Sequence, residues 1–360
     1  MLYWKEDWNE AKERMATWWD GEVYDRPAIQ AIAPKHKHVP DNSWNWEFAR
    51  NPSNPDRTID LYENWCSHIY FGGEAYPNLW VNLGAGILGA YLGATPKFGR
   101  DTVWFGGQWS KGYVKDWDEL LTIEFDEQNT WWKYTKRITR RAVKRGRDRF
   151  VVGMTDLGGI ADVIASLRSP KNLLVDLYRR KDEVRTLSQK IVEIWHRCYE
   201  ELHKIIQEGM SGSSAWMGIW SPRRWYPIQC DFAAMLSPKL FDELVLPYLR
   251  EQCKRLDDPI YHLDGPDQLC HVDSLLTIPE LKGIQWVPGA KEENLGNHCG
   301  SRKWYPLYRK ILSKRKLLVL SLPPNTIRPI VRELAPKGIL FQTTAASTLA
   351  AKLLLKTQSR

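Results

Sequence analysis

Along the chain, short runs of β-branched and apolar residues alternate with longer amphipathic runs, the order in which strands and helices succeed one another around a parallel sheet. This pattern predicts strands at residues 29–34, 149–154, 213–217, 259–263, 283–287, 317–321 and 338–341. Residues 181–208 keep helical periodicity almost without a break and predict one long helix. Ser237-Pro238 opens another, with Ser as the cap and Pro at the first helical position, and Pro247 predicts a kink within it. Asn325 predicts the cap of the helix TIRPIVREL, and Pro336-Lys337-Gly338 a turn into the next strand.

No internal repeat is present, and neither a GxGxxG nor a GxxxxGK[ST] phosphate loop occurs. That removes most of the support for a nucleotide-binding doubly wound fold. The expected class is therefore α/β, as a single (β/α)8 TIM barrel, which a chain of 360 residues can fill as one core. The early part of the chain is richer in Trp, Asn and Pro than the rest. It predicts an N-terminal helical and loop extension over residues 1–74, with the barrel over 75–360.

Composition narrows the class further. With 43% hydrophobic and 26% charged residues and no linker-like tract, disorder, collagen-like repeats and a coiled coil are excluded. The longest weakly polar stretch, LGAGILGAYLGA at residues 83–94, is broken by glycines and falls short of the roughly 20 apolar residues that span a bilayer. The first residues are charged throughout and lack the pattern of a secretory signal, so a cytoplasmic protein without a membrane partner is expected. Cys66, Cys198, Cys230, Cys253, Cys270 and Cys299 are scattered without a CxxC pair and read as reduced thiols. A net charge of +8 gathers partly in KYTKRITRRAVKRGRDR, residues 133–149. Without a zinc-finger or RRM pattern nearby, this run reads as a solvated helix face, and no nucleic-acid partner is expected.

The unusual number is 19 tryptophans. Trp104, Trp216, Trp220 and Trp286 fall in Gly- and Pro-bearing segments where strand-to-helix loops are expected, so as a group they are candidates for a pocket lining. In a barrel the chemistry collects at the carboxyl ends of the strands. The leading candidate there is PIYHLDGPDQLCH: strand alternation puts His262 and Asp264 on one face, just before a Gly-Pro turn. An imidazole and a carboxylate so placed suit general acid/base work or metal ligation. Asp156, in TDLGGIADV, either faces a ligand or caps the following helix, and Asp231, in QCDFAAMLSP, is the carboxylate nearest the aromatic cluster of Trp220, Trp225 and Tyr226. His298-Cys299 offers two metal-ligand types in one loop, and Asn82 is a lone polar group in an apolar run.

The stretches TDLGGIADVIASLRSPKNLLVDLY, QCDFAAMLSPKLFDELVLPYL, YHLDGPDQLCHVDSLLTIPELKGIQWVPGA and GILFQTTAAS resemble the uroporphyrinogen decarboxylase superfamily, in the branch related to corrinoid-dependent methyltransferases. The resemblance covers roughly residues 75 to 357 and implies a (β/α)8 barrel with a deep pocket at its carboxyl-terminal face. It also implies where this chain departs. The decarboxylases hold an aspartate in the first part of the pocket, whereas NLWVNLGAGILGAYLG offers Asn82, which points away from haem-pathway chemistry. The methyltransferases bind zinc through His-x-Cys and a later Cys, while the matching positions here read His262-Leu263-Asp264 and Thr344-Ala345-Ala346. Only the His carries over, leaving Asp264 and Cys299 as candidate ligands beside it.

The expectation is an enzyme, a methyltransferase or demethylase that acts on a small methylated compound, with zinc as a candidate metal and a corrinoid-binding protein as a candidate partner. Decarboxylation of another acid, and binding of a tetrapyrrole or other small ligand without catalysis, are the alternatives. The expected catalytic residues are His262, Asp264 and Asp231, and the expected metal ligands His262, Asp264 and Cys299. Asn82, Trp104, Asp156, Trp216, Gln285 and Thr344 are the expected substrate contacts.

Overall fold

The structure, a computed structural model, describes residues 1–106 and 114–358. Its strands are β1 (Ala28–Pro34), β2 (Ile69–Gly73), β3 (Asn78–Trp80), β4 (Lys97–Phe98), β5 (Val103–Trp104), β6 (Val151–Gly153), β7 (Ser213–Ser214), β8 (Trp220–Ser221), β9 (Trp225–Gln229), β10 (Asp258–Asp264), β11 (Gly283–Val287), β12 (Leu317–Ser321) and β13 (Ile339–Thr344). Seven of them form the central sheet in the order β2-β1-β13-β12-β11-β10-β9. Every pairing in it is parallel except β1 with β2. Helices fill the connections, as parallel neighbours require.

The hydrogen-bonded ladder does not close into a ring among the described residues. Past β9 the backbone pairing stops, and β3 pairs only with β6, in parallel. A single parallel bridge, Met154 with Ala215, joins β6 to the segment after β7. Side chains continue the order where backbone pairing ends: Trp225 Nε1 donates to the Ser213 carbonyl at 3.0 Å, and Tyr226 Oη to that of Thr155 at 2.9 Å. The molecule is thus a mixed α/β protein around a mostly parallel sheet, an arrangement compatible with a (β/α)8 barrel.

All seven strands predicted from periodicity are present, β11 and β12 with the predicted ends and the others with shifted ones. Six were not predicted: β2, β3, β4, β5, β8 and β9, the last because Pro227 hides a strand in WYPIQ. The long helix runs Lys181–Gln207. Ser237 caps Pro238–Leu244, its hydroxyl accepting from the Leu240 N–H, and the kink expected at Pro247 is a break at Val245 before the helix Leu246–Lys254. Asn325 does not cap the helix Ile327–Leu334; it sits inside a 3-10 turn, Pro324–Thr326, that feeds directly into it. Within residues 1–74 lie the helix Trp8–Trp19 and both β1 and β2, so this segment supplies two strands of the sheet.

The basic run forms the helix Thr130–Gly146 and the turn after it, and three of its arginines are paired by a neighbouring helix, Pro55–Ser67. Arg141 pairs with Asp56 at 2.6 Å, Arg145 with Asp60 and Glu63 at 2.9 Å each, and Arg149 with Glu63 at 2.8 Å. All six cysteines are unpaired. No helix of the described residues is long and apolar enough to cross a membrane.

Most of the aromatic content is packing. Trp18, Trp19, Trp132, Trp195, Trp225 and Trp286 are fully buried. The N-terminal helix seals the amino-terminal side of the sheet: Trp19 stacks near Trp225, the first residue of β9, and its Nε1 donates to the Trp220 carbonyl at 2.9 Å. Burying aromatic side chains of this size stabilises the fold by about 1.5–3 kcal/mol each.

Candidate functional site

The carboxyl ends of β9, β10 and β11 lie side by side, and their register decides which side chains meet. His262 is level with Gln229 on one neighbour and with Gln285 on the other. In a parallel sheet, level residues point to the same face, so three polar side chains form a row. Gln229 and Gln285 are buried and His262 is half-buried. The His262 ring is held on two sides: Nδ1 lies 2.6 Å from Gln285 Oε1, and the Trp216 ring meets it edge-on with centroids 5.1 Å apart. An amide oxygen only accepts, so Nδ1 carries the proton of the neutral ring and Nε2 keeps its lone pair.

Two carboxylates join this imidazole. Strand alternation returns Asp264 to the His262 face, and Asp231 arrives from the 3-10 turn Asp231–Met235 after β9. One ligand atom from each of Asp231, His262 and Asp264 lies within 4.8 Å of the other two. Asp231 is positioned by its backbone: Asp162, in the first turn of the helix Ile160–Arg168, accepts from the N–H of Asp231 at 3.0 Å and of Phe232 at 2.7 Å. Desolvation raises the Asp231 carboxyl above its ordinary range; the nearby His262 opposes this and Asp264 adds to it.

Beside this group opens a cavity of about 370 Å³, lined by Trp104, Phe105, Phe232, Met235, Asp162 and Asp231 among others. Its floor depends on two glycines. Gly158, at φ +79°, would place a Cβ 2.6 Å from Gly86 Cα, and one on Gly159 would lie 2.2 Å from the Gln229 carbonyl oxygen. Only glycine lets these three backbones approach so closely. Behind the floor sits Asp156, 5% exposed, whose Oδ1 accepts from Gly158 N–H at 2.8 Å. Burial pushes its carboxyl up to about 7, with the negative charges of Asp231 and Asp162 adding to the effect.

A second cavity of about 590 Å³ opens at the carboxyl ends of β1, β12 and β13. The segment after β7 is pinned to this side of the mouth: Gln30 Nε2 donates to the Gly218 carbonyl at 2.8 Å, Gln342 Nε2 to that of Met217 at 2.9 Å, and Asn78 Nδ2 to that of Ala215 at 3.0 Å. Thr344 lines this second cavity, not the first.

The remaining sequence candidates separate. Trp104 lines the first cavity, and Trp216 and Gln285 hold His262, whereas Trp220 and Trp286 are buried packing, Trp286 against Trp304 at 4.8 Å. The loop tryptophans therefore do not form a common lining. Asn82 is buried and structural in its contacts: Nδ2 donates to the Asn45 carbonyl at 2.7 Å and Oδ1 accepts from Gly84 N–H at 2.9 Å. Cys299 is buried outside the Asp231, His262 and Asp264 group, with Sγ donating to the Trp286 carbonyl at 3.2 Å. Sequence reasoning missed Asp162, Gln229, Phe232 and Met235. Asp162 reads as an ordinary acidic residue in a helix first turn, and Gln229 gains meaning only from its register with His262.

No protein-family model matches the chain, and no curated protein matches it. Among solved structures, the chain is similar to a methyltransferase from Methanosarcina mazei, with a TM-score of 0.59 and 13% identity over 97% of this chain and 98% of that one. At that identity the likeness is one of fold.

Proposed function

We propose that the chain is a methyltransferase or demethylase of the uroporphyrinogen decarboxylase-like superfamily, built as a (β/α)8 barrel and acting on a small methylated compound with a corrinoid protein as partner. The observation that carries this reading is the convergence of Asp231, His262 and Asp264 beside the 370 Å³ cavity, at the strand ends where such folds place their chemistry. The sequence resemblance and the methyltransferase of similar fold support it.

The donor set fits a zinc ion. Ligating histidines commonly hand their second ring nitrogen to a carbonyl or carboxylate, and His262 does so to Gln285 Oε1, which leaves Nε2 for a metal. One imidazole and two carboxylates leave at least one position of a four-coordinate ion open, as catalytic rather than structural zinc requires. Bound there, zinc supplies a Lewis acid that polarises a substrate heteroatom or holds a thiol as thiolate. The chain does the rest: Gln285 and Trp216 fix the ring of His262, Asp162 fixes the backbone that presents Asp231, and the apolar wall of the cavity keeps water from the methyl group.

Metal analysis after zinc incubation and dialysis, paired with a cobalamin methylation assay, tests the reading. One equivalent of zinc and spectral conversion of cob(I)alamin to its methyl form by a methylated donor are expected, both lost in His262→Ala. Protein that stays metal-free and leaves cob(I)alamin unchanged with amine, ether and thioether donors overturns it.

A further inference from the structure

We infer that the 370 Å³ cavity binds a small methylated ammonium cation, which deepens the reading above by naming the substrate class and rests on it for the fate of the methyl group. The chain has 51 Lys and Arg residues, yet among the described residues no Lys, Arg or His lines this cavity, and the charged lining residues are Asp162 and Asp231. Neither forms an ion pair among the described residues, and the same holds for Asp156 behind the floor, although 31 ion pairs are present elsewhere.

Three carboxyl groups close to one cavity without a cation are costly to keep charged. In the metal-free protein a carboxylic acid would add a fourth negative group with nothing to receive it, so the cavity itself disfavours anions. The uncharged part of the lining points the same way. Trp104 and Phe105 on one wall, and Phe232 and Met235 on another, offer aromatic faces and a polarizable thioether. Trp104 and Met235 both reach solvent, at 39% and 51% exposure, and stand at the entrance. Aromatic faces attract quaternary and tertiary ammonium groups, and methyl-bearing cations shed water readily enough to enter an apolar wall. A neutral methylated compound would satisfy the aromatics and leave Asp162, which stands outside the metal group, unanswered; a cation answers both. The volume lies in the usual range of about 300–1,000 Å³ for a small-molecule site.

Binding is tested apart from methyl transfer by using EDTA-treated full-length protein and probes that differ only in charge. Choline, its neutral carbon isostere 3,3-dimethylbutan-1-ol and the anion pivalate are titrated in a calorimeter at low salt. Choline is expected to saturate one site, the neutral isostere to bind at least about tenfold more weakly and pivalate not to bind. Trp104→Ala is expected to weaken choline about tenfold, with Trp104→Phe recovering part of the loss; Asp162→Asn is expected to weaken choline more than the neutral isostere. Since Asp162 also holds the Asp231 backbone, the Trp104 pair keeps the test valid if the asparagine variant fails to fold. Equal or tighter binding of the neutral isostere, binding of pivalate, or no loss in Trp104→Ala overturns the inference. Choline binding without any cobalamin methylation would uphold it and count against methyl transfer alone.

Discussion

The two ends of the sheet treat buried carboxylates in opposite ways. At the amino-terminal end each has a cation. Glu74 is fully buried and receives Arg26 through two bonds at 2.8 and 2.9 Å, and Asp258, equally buried, receives Arg223 at 2.9 Å. Lys5, buried beneath β2, donates to the carbonyls of Phe71 and Gly73 and pairs with Asp7 at 2.8 Å. At the carboxyl-terminal end the buried Asp156, the half-buried Asp162 and the exposed Asp231 have no such partner among the described residues, and their carboxyls are raised by desolvation and by neighbouring carboxylates. A fold that neutralises its buried acids at one end and leaves carboxyls bare at the other ties stability to the first and, on the function proposed above, ligand chemistry to the second.

The comparison breaks most visibly at Arg26. Arg26→Met leaves the buried Glu74 with only the more distant Arg14 guanidinium, 3.9 Å away, and removing one partner of a buried pair costs about 3–5 kcal/mol. Urea unfolding should show that loss while zinc binding in the surviving folded protein stays unchanged. A cost under about 1 kcal/mol would mean that the paired end does not carry the stability assigned to it.

His262→Ala probes the other end. A half-buried rim residue should cost no more than about 1 kcal/mol, whereas loss of a ligand or proton carrier costs about 100-fold or more in rate. A thermal melt beside the methylation assay separates the two. A collapse of the melting temperature would make His262 a structural residue and remove the distinction between the ends.

How far the sequence reveals this division depends on what each residue needs from its neighbours. His262 and Asp264 were legible because strand alternation within five residues puts them on one face, and the parallel strands were legible because buried β-branched runs are local signals. Asp231 was legible as a candidate only by its nearness to aromatics; its meeting with His262 comes from the packing of β9 against β10. The roles of Gln229 and Asp162 were not legible, since one rests on interstrand register and the other on a contact 69 residues away. The tryptophans misled as a group because glycine-rich flanks mark a loop without saying whether its ring turns inward, as at Trp286, or lines a cavity, as at Trp104.

Asp156 sharpens the comparison through pH. Its folded carboxyl is raised from 3.8 to about 7, so the stability tied to its neutral form is complete below about pH 4 and lost as pH rises toward 7. Asp156→Asn preserves the neutral shape and an acceptor for Gly158 N–H. It should match the wild type near pH 4 and exceed it by about 4 kcal/mol at pH 8, read from melts across that range. An asparagine variant less stable at pH 8 would show a charged, partnered Asp156 and erase the contrast at this residue.

The smallest expected effect concerns Cys299, which tests where the candidate metal group ends. Its thiol is buried, donates to the Trp286 carbonyl and is pushed up to about 12, first by desolvation and then by the charge of Glu293. A metal ligand is a thiolate, and a thiol this reluctant to ionise, already committed to a backbone carbonyl, makes a poor one. Its own carbonyl accepts from Tyr308 Oη at 2.6 Å, which ties the loop to the helix Tyr305–Ser313 and holds it away from the cavity mouth. Cys299→Ser keeps a donor of similar shape, so stability should fall by only about 1 kcal/mol. Zinc stoichiometry should stay at one equivalent, because Asp231, His262 and Asp264 remain. Loss of the metal in Cys299→Ser, with the fold intact by melting, would bring the loop into the site and make the carboxyl-terminal end a four-ligand centre.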